Sequence, residues 1–174
     1  MAIISGSDLE YLSERFETEL KSDVQLHLYT RASFHSAEAI AEAEASEVDQ
    51  EQDETGEVFV GEACRMTANI LEELAAIDPE HLEVVRHDLD SPAGQAEAQA
   101  AGLDGEMLPV TFFQSENLKG QSRYFGLPSG YEFGSLVESL IDFSIGTSGL
   151  KPGTLEKLAA VEEPVQIIIF VTPT

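Results

Sequence analysis

The chain has one cysteine, Cys64, and this residue is the strongest candidate for chemistry. The spacing of apolar residues predicts an amphipathic helix over 62–77, which would place Cys64 in its first turn. A thiol at a helix N-terminus loses its proton more readily, because the backbone N–H groups and the helix dipole stabilise a thiolate. Free cysteine is also among the most buried residue types, and a buried thiol is inert. We therefore expect a buried packing residue, with a lone thiol that forms mixed disulfides as the alternative.

The other polar residues do not form a recognisable reactive set. The four histidines are His27, His35, His81 and His87, and no pair of them has the spacing of metal ligands on one element. The acidic residues between 38 and 57 lack the spacing of a calcium-binding loop. The chain contains neither a glycine-rich phosphate loop nor a Gly-x-Ser-x-Gly motif. The sequence therefore predicts no metal site and no cofactor.

Charge and cysteine content restrict the partners and the compartment. The 174 residues include 33 acidic and 9 basic side chains, for a net charge of −24 at pH 7. Such a charge repels nucleic acid and anionic membranes, so we expect neither as a partner. The acidic residues are spread over every predicted helix, as in proteins from concentrated salt, where screening weakens self-repulsion. A single cysteine excludes an internal disulfide, and residues 1–5 lack the basic region of a signal peptide. We expect a cytoplasmic protein of a halophilic cell.

Helices and strands alternate along the first 148 residues. A capping box at 7–10 starts the first helix, and an Ala/Glu-rich helix and an acidic loop occupy about 36–60. The predicted order is a helix from 7, a strand at 24–30, helices at 36–48 and 62–77, a strand at 82–87, a short helix at 92–102, strands at 110–113 and 123–125, and a helix from 129. A mixed sheet with helices on both faces accommodates this order.

The C-terminal region repeats the order of the N-terminal region. Residues 149–153 contain two glycines and a proline, which predicts a linker. Residues 155–158 and 165–170 then resemble 9–12 and 24–29, a helix followed by a strand. We predict one whole unit at 1–148, and the linker, helix and first strand of a second unit at 149–174. A chance similarity between two helix–strand pairs is the alternative.

The predicted strand at 165–171 is strongly apolar and needs to be covered. It could dock as an edge on its own sheet or pair with the same strand of another copy. We expect the chain to associate through this segment.

Two stretches resemble a known family. They are residues 123–133 (RYFGLPSGYEF) and 170–174 (FVTPT), and they are similar to archaeal, in particular haloarchaeal, protein disulfide oxidoreductases, glutaredoxin-like proteins made of two tandem thioredoxin units. The N-terminal domain of the alkyl hydroperoxide reductase flavoprotein is similar in architecture. The resemblance covers most of the chain outside about 36–60. It implies an α/β, thioredoxin-like fold with a mixed four-stranded sheet, an acidic insertion and a C-terminal helix–strand extension. It also implies thiol–disulfide exchange in redox homeostasis, with protein thiols and disulfides as partners.

The family's reaction needs a Cys-x-x-Cys pair, in which one sulfur attacks and the second resolves the mixed disulfide. One alignment puts Gly61 at the attacking position and Cys64 at the resolving position. A second alignment uses the segment directly after the first predicted strand, where Ser33 and Ser36 replace both sulfurs. We prefer the first, because the spacing within the following helix suits the family. Under either alignment this chain lacks the sulfur pair and cannot cycle a disulfide alone.

Pro109, which precedes the third predicted strand, matches the family's cis-proline beside the redox motif. The preceding residue, here Leu108, would offer its backbone to an extended substrate peptide. In the family's second unit a Cys-Pro-x-Cys directly follows the segment that matches 171–174. The resemblance thus favours the N-terminal portion of a protein disulfide oxidoreductase, inactive as this chain. The alternatives are a non-catalytic thioredoxin-fold docking module and, more weakly, an enzyme that uses Cys64 as a single thiol.

Overall fold

The computed structural model describes residues 3–45, 57–103 and 107–169. In chain order, the elements are α1 (Gly6–Glu19), β1 (Val24–Thr30), a 3₁₀ helix (Ala32–His35), α2 (Ala37–Ala45), α3 (Glu57–Ile77), β2 (Leu82–Asp88), α4 (Pro92–Ala100), β3 (Val110–Ser115), β4 (Ser122–Phe125), α5 (Tyr131–Ile145) and α6 (Pro152–Ala159).

The four strands form one mixed sheet in the order β2-β1-β3-β4, which confirms the predicted fold class. β1 runs parallel to β2 and antiparallel to β3, and β4 pairs antiparallel with β3. In this register Tyr29 of β1 lies opposite His87 of β2 and Val110 of β3. The carboxyl ends of β1 and β2 therefore meet the start of β3 at one end of the sheet.

Alternating side chains of β1 separate two apolar layers. The larger layer contains Leu26 and Leu28 of β1, which pack with the buried faces of α1, α3 and α5. The smaller layer contains Tyr29, together with Val110, Phe112 and Ala98 of α4. The second layer is covered by one short helix, so polar groups on this face of the sheet remain close to solvent.

A glycine allows α4 to lie tightly against the end of β2. A Cβ atom on Gly94 would be 2.0 Å from the backbone carbonyl oxygen of Asp88. Ser91 caps the helix by accepting a hydrogen bond from the Gly94 N–H at 3.0 Å, and Pro92 follows in the first turn. The close approach therefore fixes where the side chains of α4 meet the sheet.

The N-terminal ends of α1 and α3 differ from the predicted ones in ways that the structure explains. Ser5, rather than Ser7, caps α1, since its hydroxyl accepts from the Asp8 N–H at 3.4 Å. α3 begins at Glu57 instead of 62. Gly61 is buried in this added segment and packs against the ring of Phe34. This tertiary contact, invisible to local periodicity, stabilises the longer helix.

The predicted helix after the linker forms as α6, but the strand predicted at 165–171 is not present in its described part. Residues 164–169 have no strand pairing, and their apolar side chains are exposed: Val165 by 68%, Ile167 by 78% and Ile169 by 78%. A strand needs the edge of a neighbour, and none of the four strands of the sheet supplies one here. Residues 170–174, like the 46–56 part of the acidic insertion, lie outside the described residues.

Candidate functional site

A short chain of polar groups joins three elements at the carboxyl end of β1. Thr30 ends β1, and its hydroxyl lies 3.0 Å from Nε2 of His35 in the 3₁₀ helix. The Cys64 thiol, from α3, forms a hydrogen bond with the side chain of Thr30. Cys64 and Thr30 are 0% and 3% exposed, respectively. The thiol is therefore held between the sheet and α3, away from solvent.

The thiol and the imidazole are both kept neutral. Burial raises the pKa of the Cys64 thiol, although the Thr30 hydrogen bond and the charges of Arg65 and Arg31 oppose this shift. Burial also lowers the pKa of His35, and the positive charges of Arg86 and Arg65 act in the same direction. Because α3 begins at Glu57, Cys64 lies well inside the helix and gains nothing from the free N–H groups of its first turn. The expected burial of Cys64 is confirmed.

The structure brings the two candidate motif segments into contact. The position that a Cβ of Gly61 would occupy is 3.4 Å from the ring of Phe34. Arg65 Nη1 also donates to the carbonyl oxygen of Phe34 at 2.8 Å. Phe34 lies between Ser33 and Ser36 in sequence, so α3 packs directly against the alternative motif.

Ser33 and Ser36 occupy the exposed turn between β1 and α2. The Ser33 N–H donates to the carboxylate of Asp90 at 2.8 Å, and hydrogen bonds from Ser33 hold the pKa of Asp90 below its usual value. The Ser36 hydroxyl accepts from the Ala39 N–H at 3.1 Å and so caps α2. The strand–turn–helix segment that the second alignment matches to a redox motif thus carries hydroxyl groups, which are far weaker acids than thiols.

The Leu108–Pro109 peptide bond is cis, as the resemblance to the thioredoxin-like family implies. Pro109 directly precedes Val110, which is paired with Tyr29, so the register places it beside Thr30. Its carbonyl oxygen accepts from the Gly126 N–H at 2.8 Å, which ties the start of β3 to the end of β4. The predicted substrate-binding pair therefore lies at the same end of the sheet as the Cys64–Thr30–His35 chain.

A cleft of about 600 Å³ opens beside Leu108. Its walls are largely apolar, and they include Leu89, Leu103, Leu108 and Phe125, with Arg31 and Arg123 as the cationic side chains. Sequence reasoning identified only Leu108 among these residues. Arg31 could have been noticed because it directly follows a strand, whereas Arg123 and Phe125 reach the cleft only through the β3–β4 pairing.

Across the described ranges, no three His, Cys, Asp or Glu side chains converge as metal ligands would. In the same ranges, every helix is too short or too polar to cross a lipid bilayer.

Comparison with solved structures relates this architecture to a known one. The N/C domain of the N-terminal region of alkylhydroperoxide reductase AhpF from Enterococcus faecalis matches with a TM-score of 0.61 and 17% sequence identity. The chain has a thioredoxin-like fold. The match covers 91% of this chain but only 61% of the length of the AhpF domain. Neither models of known protein families nor the sequences of characterised proteins give a match.

Proposed function

We propose that this chain is the N-terminal portion of a thioredoxin- or glutaredoxin-like protein disulfide oxidoreductase, and that it binds partner polypeptides without exchanging disulfides itself. One contrast carries the proposal. The single thiol is fully buried, whereas a large cleft is open at the same end of a thioredoxin-like sheet.

The chemistry of thiol–disulfide exchange supports the proposal that this chain does not exchange disulfides itself. Exchange requires an accessible thiolate that attacks a disulfide sulfur in line, and a second thiol that releases the product. Cys64 has neither access nor a second sulfur, and burial raises the pKa of its thiol. The hydroxyls of Ser33 and Ser36 are accessible but do not ionise at neutral pH.

The dimensions of the cleft support the proposal that the chain binds partner polypeptides. Its volume of about 600 Å³ is typical of sites that enclose a small molecule or one or two side chains. An extended polypeptide could pair with backbone near Leu108 and insert an apolar side chain between Leu103 and Phe125, a form of strand addition. The side chain of Arg31 is about half exposed at the rim, with its guanidinium 3.8 Å from the carboxylate of Asp90, and it could also meet a backbone carbonyl or carboxylate of the partner.

The first experiment tests for exchange. In an insulin-reduction assay with dithiothreitol, we expect the chain to give no turbidity above background. The Cys64→Ser variant should behave identically, since the thiol takes no part. Measurable turnover that is lost in the Cys64→Ser variant would contradict the proposal and favour a single-thiol enzyme.

The second experiment tests the cleft. Reduced, carboxymethylated insulin B chain serves as an extended peptide, and its binding is followed by NMR shifts of the labelled protein. We expect shifts at Leu108 and Val110, and at least about tenfold weaker binding in Met107→Glu and Phe125→Glu, since both exposed side chains line the cleft. Leu9→Glu, an exposed apolar residue of α1 outside the cleft, is the matched control and should bind normally. Equal weakening in all three variants would contradict binding at this cleft.

The alternative is a non-catalytic thioredoxin-fold docking module, which has the same cleft and the same inert thiol. The reading frame after the codon for Thr174 separates the two. Codons for Cys-x-x-Cys directly after it would support the oxidoreductase, whereas a native stop codon would support the docking module.

We also propose that the apolar segment 165–171 pairs with the same segment of another copy. Ile167, Ile168 and Ile169 are 64–78% exposed in the described part, and a partner strand would cover them. Light scattering should report an oligomer that dissociates in an Ile167→Asp, Ile169→Asp double variant. A monomer at all concentrations, with the segment freely cleaved by protease, would refute this association.

A further inference from the structure

Two histidines and a glutamate form a continuous chain of contacts on the sheet face under α4. Nδ1 of His27, on β1, lies 2.9 Å from Nε2 of His87, on β2. The other nitrogen of His87, Nδ1, lies 2.6 Å from a carboxylate oxygen of Glu97, on α4. Nε2 of His27 is buried and makes no hydrogen bond with any residue that the structure describes. Three elements are thus joined by two polar contacts that end in one unpaired nitrogen.

The carboxylate fixes the positions of the ring protons. An ionised carboxylate only accepts hydrogen bonds, so Nδ1 of His87 must carry a proton, and as long as His87 is neutral its Nε2 is an acceptor. His27 then has to donate through its own Nδ1, which leaves a lone pair on Nε2. Both rings are therefore Nδ1–H tautomers, and the buried unpaired nitrogen is explained as the open end of the chain.

Burial lowers the pKa of His27, and the groups around the open end act on its protonation in both directions. Gln114 of β3 lies beside His27 and favours its protonated form, as do the carboxylates of Glu83 on β2 and Glu97 on α4. Burial and the neighbouring His87 act in the opposite direction, and they place the pKa of His27 below its usual value. The ring of Tyr29, stacked on His87 at 4.3 Å, is the remaining titratable neighbour on β1.

We propose that Glu97, His87 and His27 form a proton-binding relay that fastens α4 to the sheet at neutral pH and releases it when the relay becomes fully protonated. The first proton, taken from solvent, forms an N–H bond at Nε2 of His27 and leaves both contacts intact. A second proton must go to Nε2 of His87, where it would face the Nδ1–H of His27, or to the carboxylate of Glu97. The first of these steps breaks the contact between His27 and His87, and the second removes the charge that strengthens the hydrogen bond between His87 and Glu97.

Release of α4 would reach the cleft, because Gln95 and Ala98 of this helix line it while Glu97 faces the relay. The relay is therefore a pH-sensitive control on the shape of the cleft. It depends on this side-chain geometry alone and not on the exchange activity of any larger protein.

The tautomers provide the first test. Free imidazole prefers the Nε2–H form, whereas the relay requires Nδ1–H at both rings. Nitrogen-15 NMR of the histidine side chains at about pH 7.5 should show Nδ1–H for His27 and His87, and the same chain unfolded in urea is the reference for the ordinary Nε2–H preference. Glu97→Gln should remove the preference at His27, because an amide can donate or accept. An Nε2–H form at either ring of the unaltered protein would overturn the proposal.

Amide hydrogen exchange provides the second test. After correction for intrinsic rates, protection of α4 relative to α5 should fall at least about tenfold between about pH 7.5 and about pH 5, the change expected when a charge-assisted hydrogen bond is lost. His87→Phe keeps a ring stacked on Tyr29 but cannot titrate, so its relative protection of α4 should be the same at both pH values. Unchanged protection in the unaltered protein, or a pH dependence that persists in His87→Phe, would refute the relay.

Discussion

Alkylation of Cys64 tests the central feature of the candidate site, a thiol that cannot react in the folded protein. The side chain is 0% exposed and lies between α3 and β1, so iodoacetamide can reach the sulfur only when α3 separates from the sheet. Opening of a core helix costs a large part of the global stability, which is about 5–15 kcal/mol for proteins of this kind. At about 1.4 kcal/mol per factor of ten, an opening free energy of about 5 kcal/mol slows alkylation by more than three orders of magnitude.

The assay compares the native chain with the same chain in concentrated guanidinium chloride. The matched control is a Cys64→Ala, Ser135→Cys double variant, in which the single thiol is on the exposed face of α5. We expect the control to react at a rate close to that of a free thiol in both conditions, and Cys64 to do so only when unfolded. A native rate for Cys64 within about tenfold of the control would refute the reasoning, because simple access to the sulfur would then exist.

Three further perturbations have outcomes that follow from the structure. Gly94→Ala should destabilise the fold by at least about 3 kcal/mol, since its Cβ would lie 2.0 Å from a backbone carbonyl oxygen of β2. The control is Gly134→Ala on α5, which has open space around it and should stabilise the fold by up to about 1 kcal/mol. Equal effects of the two variants in urea unfolding would contradict the overlap. Arg15→Met should lower the free energy of unfolding by about 1 kcal/mol, because the guanidinium pairs with Glu19 of α1 at 2.7 Å and with Glu138 of α5 at 2.5 Å. If this loss of stability does not become smaller in concentrated salt, the ion pairs are not its origin. Burial lowers the pKa values of His27 and His35, so the unfolded chain takes up protons at a higher pH than the folded chain, and stability should be constant between about pH 6.5 and about pH 8 and fall below about pH 6.5. Urea midpoints across this range should show the slope, and a double replacement by glutamine should abolish it.

The order of the elements was predictable because each element has a distinct local signal. The spacing of apolar residues and the turn residues located the four strands within about two residues of their positions. The start of α3 was not predictable, because it depends on Gly61 packing against Phe34, a contact between segments far apart in the chain. The strand predicted at 165–171 failed in its described part for a related reason. Its residues favour a strand, but a strand forms only where another offers an edge.

The contacts of the histidines could not be read from the sequence. His27 and His87 are separated by 60 residues and have no metal-ligand spacing. They meet only because β1 and β2 are parallel in a register that places Tyr29 opposite His87, which brings His27 diagonally beside it. Glu97 joins them because Gly94 lets α4 approach the end of β2 closely. Side-chain constellations of this kind depend on register and close packing, which local patterns do not determine.

A redox motif needs solvent access and a sulfur at the same place, and here the two candidate motif segments each have only one of these. The turn with Ser33 and Ser36 is exposed and directly follows β1, while Gly61 and Cys64 lie within α3, the helix that packs behind β1. A reactive pair requires both access and the free N–H groups of a helix N-terminus. We therefore expect that Gly61→Cys, which would restore a Cys-x-x-Cys sequence, does not create a reductase.

The matched variant for this prediction is Gly61→Ala. A Cβ at this position has ordinary van der Waals distances of 3.4 Å to Phe34 and Arg65, so both variants should fold. In both variants, the side chain at position 61 and the thiol of Cys64 lie inside α3, where no helix N-terminus stabilises a thiolate. Insulin reduction by Gly61→Cys above that of Gly61→Ala would show that α3 opens far enough to expose the pair. The burial of Cys64 would then be a property of the resting state alone. The placement of the only thiol away from the exposed turn would no longer explain why the chain is inactive.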